Sequence, residues 1–288
     1  MSKTKLGTAC VAGLFMMATS PAFAGSVKDG PLPEPKREIQ ISANIGVTTD
    51  YVFRGFSQTA QNPALQGGVD VTWKWLYLGM WASNLDFLQV PNAAGTSQVN
   101  LASVEIDWYG GVKIPLGPVE LDLGLIYYTY PGAYDKVTAG NPAQRELDYL
   151  ELKAGVSGSL VKDVWTAGLT VFYSPEYTNK TGATWTIEGT TAVTLPKMWI
   201  FTPTISGTLG YQTGDDARYQ VLVGNGADDY LYWNAGIALA VDKLTLDFRY
   251  WDTNIKSNNA GAGFANRFCQ GPAFQCDERF VATAKITF

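Results

Sequence analysis

The sequence has no histidine and only three cysteines among its 288 residues. Without histidine, zinc and copper sites lose their commonest ligand, and a serine hydrolase loses its usual general base. We therefore predict that the protein is not an enzyme and has no catalytic, metal-binding or cofactor-binding residues. A hydrolase that relies on carboxylates alone is the weakest alternative.

An apolar run long enough to form a transmembrane helix is also missing, since such a helix needs roughly 20 residues. The N-terminus instead has Lys3 and Lys5, a short apolar run and the small-residue site Ala22-Phe23-Ala24. This pattern predicts a secretory signal peptide over residues 1–24. Residues 25–38 are proline-rich and charged, and we predict a flexible periplasmic leader there, followed by a barrel over 39–288.

The cysteines are few enough to treat one by one. Cys10 lies inside the predicted signal peptide, in a context unlike that of a lipoprotein cysteine. Cys269 and Cys276 remain, and an exported protein meets an oxidising compartment. We predict a loop disulfide between them rather than a metal or redox pair.

Basic residues are in the minority. The formal net charge is −5, and loss of the signal peptide makes it more negative. An acidic chain of this kind is not expected to bind nucleic acid. Aromatic residues make up 13% of the sequence and glycine is common, which is typical of an exported all-β protein.

Apolar and polar residues alternate with a period of two along most of the chain, and this period indicates strands with one apolar face. We count twelve such segments, with ten or fourteen also compatible with the pattern. Their approximate bounds are 39–53, 64–73, 76–87, 101–115, 118–130, 147–160, 164–174, 183–195, 199–212, 230–241, 244–254 and 278–288.

The connections between these segments alternate between long and short, which predicts a transmembrane antiparallel β-barrel with longer extracellular loops and short periplasmic turns. A soluble sandwich or lipocalin-like barrel fits the same alternation with its apolar face turned inward. The strand length of roughly 10–15 residues favours the membrane barrel.

Aromatic residues cluster at the strand ends, as expected for girdles at the membrane interfaces. They are Tyr51, Phe53, Trp73, Trp75, Tyr77, Trp108, Tyr127, Trp165, Tyr173, Trp199, Phe201, Tyr211, Trp233 and Tyr250. The last strand ends on Phe288, which resembles the C-terminal signal read by the barrel-assembly machinery. We therefore predict localisation in the cell outer membrane, with lipid and that machinery as partners.

The stretch "ANIGVTTDYVFRGFSQTAQNPALQGGVDV", followed by "GMWASNLDF" and "EIDWYGGV", resembles the TorF family, an outer-membrane family to which a pore function is ascribed. The likeness is strongest over residues 43–112 and is at the level of pattern beyond them. It implies an outer-membrane location and a pore. It implies neither a defined substrate nor catalytic residues.

If the apolar face meets lipid, the charged residues line a lumen, because a charge on the lipid face is costly. The predicted lumen-lining residues are Asp50, Arg54, Asp70, Glu105, Asp107, Lys113, Glu120, Asp122, Glu151, Lys153, Glu188, Asp247, Arg249 and Lys285. Their excess of acids predicts a porin for passive diffusion of small polar solutes, with a bias towards cations. The alternative is a non-conducting barrel whose charges pair and whose extracellular loops bind a partner.

Three local features have two interpretations each. Arg54 is either a constriction residue or one half of a rim ion pair with Asp50. Residues 57–68 form either a ligand loop or, as their glycine and proline favour, an ordinary turn. The loop 255–277 either folds inward as a plug or, as we favour, is simply made rigid by its disulfide.

Overall fold

The protein forms a closed barrel of twelve antiparallel strands. The computed structural model describes residues 39–87, 89–91, 98–133, 146–223, 227–255, 269 and 274–288. The strands are β1 (Gln40–Thr48), β2 (Ala64–Trp73), β3 (Leu76–Asn84), β4 (Val104–Leu116), β5 (Val119–Thr129), β6 (Tyr149–Val161), β7 (Trp165–Ser174), β8 (Thr184–Thr194), β9 (Thr202–Gly214), β10 (Asp229–Val241), β11 (Leu244–Thr253) and β12 (Arg279–Thr287).

Each strand pairs with its neighbours along the chain, and the first strand pairs with the last. Asn44 on β1 lies opposite Thr287 on β12, and this pairing closes the ring. Closure satisfies the backbone groups that an open sheet would leave at its edges. The predicted fold class, an all-β antiparallel barrel of about twelve strands, is confirmed.

Helix is nearly absent from the described residues. The loop between β7 and β8 contains the 3₁₀ turn Thr178–Lys180, and the loop between β9 and β10 contains the short helix Ala217–Val223. No helix in the described ranges is long and apolar enough to cross a membrane.

The apolar face of the barrel points outward. Large apolar side chains such as Ile41, Leu78, Leu209 and Phe280 are exposed, and they belong to a set that covers every strand of the ring. A soluble barrel would turn this face inward, because contiguous exposed apolar surface of this extent is unfavourable in water. The orientation therefore contradicts the lipocalin-like alternative.

Inward-facing tyrosines lie flat against glycines of neighbouring strands. A Cβ atom added to Gly79 would lie 2.3 Å from the ring of Tyr109, and one added to Gly210 would lie 2.0 Å from the ring of Tyr232. Only glycine leaves room for a ring at this distance. The rings of Tyr109 and Tyr232 consequently run along the wall.

The first predicted strand, 39–53, is longer than the observed one. Strand β1 ends at Thr48, and the chain then turns into a short hairpin of Val52–Phe53 and Phe56–Ser57. The two residues at its tip, Arg54 and Gly55, have φ values of 47° and 90°. Positive φ at both central residues is what a type I′ hairpin requires, and it turns the chain back on itself.

This hairpin also corrects the predicted girdle. Tyr51 is buried beside it, and Phe53 packs edge-on against Tyr128 inside the barrel. Tyr77 is buried as well, with its hydroxyl bonded to Asp122. These three rings face inward, whereas Trp73, Trp108, Trp165 and Trp199 are exposed on the outside as predicted.

Candidate functional site in the barrel interior

Residues 50–59, which we call the inner hairpin, lie within the ring. Members of this segment contact strands on every side: Tyr51 reaches Glu105 on β4, Arg54 reaches Glu151 on β6, and Phe56 packs on Tyr230 of β10. A segment that touches strands so far apart in the ring can only lie inside it.

Asp50 anchors the base of the inner hairpin. Its carboxylate accepts hydrogen bonds from Ser57 Oγ at 2.7 Å and from Thr59 Oγ1 at 2.9 Å. The other oxygen accepts one from Arg279 Nη1 of β12 at 3.0 Å. Asp50 therefore pairs with Arg279, and the suggested rim pair between Asp50 and Arg54 is not formed.

Arg54, at the tip of the inner hairpin, forms a two-point ion pair with Glu151. Its Nη1 and Nη2 atoms donate to Oε1 and Oε2 at 2.7 and 2.8 Å, and Tyr128 Oη also donates to Oε2. The guanidinium lies over the ring of Phe172 as well. Burial disfavours the Arg54 charge, but the Glu151 carboxylate outweighs this effect and raises the pKa of Arg54 well above its usual value.

Aromatic rings fill the space around this ion pair. Tyr128 stacks on Tyr149 at 4.4 Å, Tyr149 meets Tyr177 edge-on, and Tyr51 meets Trp81 edge-on at 5.3 Å. Such arrangements are favourable for aromatic pairs. At the end of the barrel that carries the longer loops, the described interior is therefore closely packed.

The predicted disulfide between Cys269 and Cys276 is present, and both residues are buried. The adjoining backbone pairs with the inner hairpin, since Ser57 N donates to Gln275 O and Phe274 N donates to Ser57 O. The described residues at the end of loop 255–277 thus support the inner hairpin, in line with the interpretation in which the loop folds inward. The disulfide on which the other interpretation rests is also present. The rest of that loop lies outside the described residues.

The opposite half of the interior, towards the short turns, has a different lining. Lys153 pairs with Asp122 at 2.7 Å and Arg249 pairs with Asp247 at 3.0 Å. These side chains are partly exposed, so this half is more open to solvent than the packed half. Four acids and four bases lie here, namely Asp70, Glu120, Asp122 and Asp247 with Lys113, Lys153, Arg249 and Lys285.

The excess of acids therefore lies in the packed half. There, Glu105, Asp107, Glu151 and Glu188 join Asp50, against the two arginines Arg54 and Arg279. Glu188 accepts a hydrogen bond from Tyr232 Oη at 2.5 Å. A role of any of these residues in solute passage stays a prediction.

The lumen-lining residues predicted from the sequence do not include Arg279 or the inward tyrosines Tyr51, Tyr128 and Tyr232. Arg279 falls on the polar side of the last predicted strand, opposite Phe280, so its inward position was predictable from the alternation. Tyr51 was predicted to belong to the aromatic girdle, because a ring at a strand end suits either face. The dipeptide Arg54-Gly55 between alternating aromatics was the available sign of the inner hairpin.

The comparison with protein families is informative over nearly the whole chain. A profile of the family Gcw_chp, described as a bacterial protein of unknown function, matches residues 33–288. The chain belongs to this family. The description assigns no activity to Gcw_chp proteins and does not carry the name TorF, so that resemblance stays a prediction. No curated protein sequence matches the chain significantly.

Solved structures that resemble this Gcw_chp protein include a porin and an outer-membrane channel. The NanC porin has 10% identity and a TM-score of 0.46, with 86% of this chain and 98% of NanC covered. An outer-membrane channel from Pseudomonas putida F1 has 10% identity and a TM-score of 0.47, with 90% and 99% covered. LpxR from Salmonella typhimurium has 9% identity and a TM-score of 0.43, with 86% and 99% covered. Likeness at this level concerns the barrel architecture alone.

Proposed function

We propose that this protein is an outer-membrane channel for small polar solutes, and that the inner hairpin is its gate. The observation that carries the proposal is the inverted polarity of a closed barrel, whose outer face is apolar and whose inner face carries the charges. In a bilayer every backbone group must be bonded internally, and a closed barrel meets that requirement. Its strands of 9 to 13 residues match the length needed to cross at a tilt.

The half of the interior towards the short turns supports a solute path. Its ion pairs lie along neighbouring strands, β4 to β6 on one side and β11 on another, so they line the wall without spanning the interior. In this half Tyr109 lies flat over Gly79 of the neighbouring strand, so its ring stays against the wall. Solutes enter this half from the turn side and stop at the inner hairpin.

The inner hairpin supports the gating part of the proposal because it belongs to no barrel strand. Among the described residues, its only backbone partners outside residues 49–63 are in Asp86 and in the segment Phe274–Gln275. Side-chain contacts supply the rest, chiefly the Arg54–Glu151 pair. Movement of this segment would open the packed half without breaking any pairing of the barrel.

Charge selectivity follows from which half limits passage. Equal numbers of acids and bases in the half towards the turns predict little selectivity there, whereas the acids of the packed half would favour cations once the gate is open. A cation preference is therefore expected in the open state.

The remaining proposals concern export and assembly. We propose cleavage after Ala24, a flexible leader over residues 25–38, and recognition of the final strand through Phe288. Phe288 is exposed, and its backbone is paired to Ala43 of β1.

Single-channel recording in a planar bilayer tests the proposal. We expect brief openings of the wild-type protein, with a reversal potential under a salt gradient that shows cation preference. A variant that lacks residues 52–57 should conduct steadily. The absence of conductance from both proteins, with folding verified by heat-modifiable migration, would exclude the channel.

The packed half also favours a second function. Because the described loop-end residues close the interior with a disulfide and stacked rings, a non-conducting barrel that binds a partner through its loops is the alternative. Under this alternative the variant lacking residues 52–57 would lose binding and gain no conductance.

A further inference from the structure

Two carboxylates in the packed half have no cationic side chain paired with them among the described residues. Glu105 and Asp107 are two residues apart on β4, so both point to the inner face, and they are close enough to interact directly. Their residues are only 2% and 0% exposed. Neither Asp107 oxygen accepts a hydrogen bond from any described group.

The nearby bases do not compensate these two charges. Arg54 is bound to Glu151 through two hydrogen bonds, and Arg279 is bound to Asp50. Within the described ranges Glu105 accepts one hydrogen bond, from Tyr51 Oη, and Asp107 accepts none. Two adjacent buried carboxylates with no cation beside them are strongly unfavourable. A ligand that supplies positive charge would remove this penalty.

We propose that Glu105 and Asp107 bind a monatomic cation, with Ca²⁺ the best match. The candidate ligands are all hard oxygen atoms, which Ca²⁺ prefers, and two carboxylates balance its charge. Tyr51 Oη, 3.3 Å from Glu105 Oε1, supplies a further oxygen atom. Trp81 and Tyr128 are the strand neighbours of Asp107 and shield the site on both sides.

The proposed cation joins the barrel wall to the inner hairpin, because Tyr51 belongs to the hairpin and Glu105 to β4. Cation binding would therefore stabilise the closed arrangement. The proposal does not depend on conduction, since a non-conducting barrel with the same packing would bind the ion equally well.

Thermal unfolding and calorimetry of the folded barrel in detergent test the site. After removal of divalent ions with EDTA, the protein is titrated with CaCl₂, MgCl₂ or NaCl, with choline chloride keeping the ionic strength constant. We expect CaCl₂ to raise Tm and to give a saturable binding isotherm. Asp107→Asn should weaken Ca²⁺ affinity at least about tenfold, because it removes one of two charged ligands.

Glu146→Gln is the matched control, because Glu146 is an exposed acid paired with Lys180, and its binding curve should equal that of the wild type. If Asp107→Asn does not fold, Glu105→Gln replaces it with the same expectation. A Tm independent of every cation, together with an Asp107→Asn barrel more stable than the wild type in all salts, would show that protons neutralise the pair and would overturn the proposal. Equal losses of Ca²⁺ affinity in the Asp107 and Glu146 variants would also overturn the proposal, because they would indicate diffuse binding to surface charges.

Discussion

The Arg54–Glu151 ion pair gives the sharpest prediction, because it is the main side-chain attachment at the tip of the inner hairpin. Both side chains are almost fully buried, and the pair is made through two hydrogen bonds. Breaking a buried pair by removing one partner costs about 3–5 kcal/mol, since the other charge is left uncompensated. Tyr128 keeps one hydrogen bond to Glu151 in an Arg54→Gln variant, so we expect the lower end of this range.

A cost of about 3 kcal/mol lowers the ratio of closed to open hairpin by roughly two orders of magnitude, since about 1.4 kcal/mol corresponds to a factor of ten. The assay is the rate at which a bulky, water-soluble maleimide modifies a cysteine placed at Gln58, which is buried in the inner hairpin. Cys269 and Cys276 are joined in a disulfide and do not react, and the assay uses the mature protein, which lacks Cys10 of the predicted signal peptide. We expect Arg54→Gln to raise the modification rate about a hundredfold.

Two further variants complete this test. Lys180→Gln breaks the exposed Lys180–Glu146 pair and should leave the rate unchanged. The double variant Arg54→Gln/Glu151→Gln removes both charges of this pair and should recover part of the closed population. Equal modification rates in the Arg54 and Lys180 variants would refute the reasoning, because the ion pair would then not hold the hairpin in place.

Three other predictions concern the turn, the disulfide and the outer face. Gly55→Ala should increase open probability in single-channel recordings, because a Cβ would lie 2.3 Å from Thr253 Cγ2; Gly117→Ala has a similar positive φ but open space around it and should not. Replacement of both Cys269 and Cys276 by serine should also increase open probability, and unchanged gating would mean that the loop does not support the hairpin. Leu209→Arg should destabilise the barrel by about 2–4 kcal/mol in equilibrium folding into lipid vesicles, because it places a charge on the lipid face. Trp199→Arg, at a turn, should cost little. Equal costs would contradict a membrane-spanning outer face.

The strands were predictable because their periodicity is a local property. The predicted segments 64–73, 118–130 and 164–174 lie within two residues of the observed strands, since alternation and turn residues mark both ends. The alternation did not reveal that the chain leaves the wall after Thr48. Thr49, Tyr51 and Phe53 continue the period of two, so a strand and an inward hairpin look the same in sequence.

The pairing of charges was beyond the sequence for a related reason. Arg54 is near Asp50 along the chain but bonds to Glu151, which is 97 residues away. Only ring closure brings β6 and the inner hairpin together. The same holds for Arg279 and Asp50, which are 229 residues apart.

The sequence by itself determined the class of the protein: an acidic, histidine-free chain of about twelve alternating strands with charges on one face. It determined this much because composition and periodicity act locally and are repeated many times along the chain. Only the tertiary structure decided that the apolar face points outward, that residues 50–59 fold into the interior, and that the excess of acids lies in the packed half. These features depend on contacts between distant segments, and the closure of the ring creates those contacts.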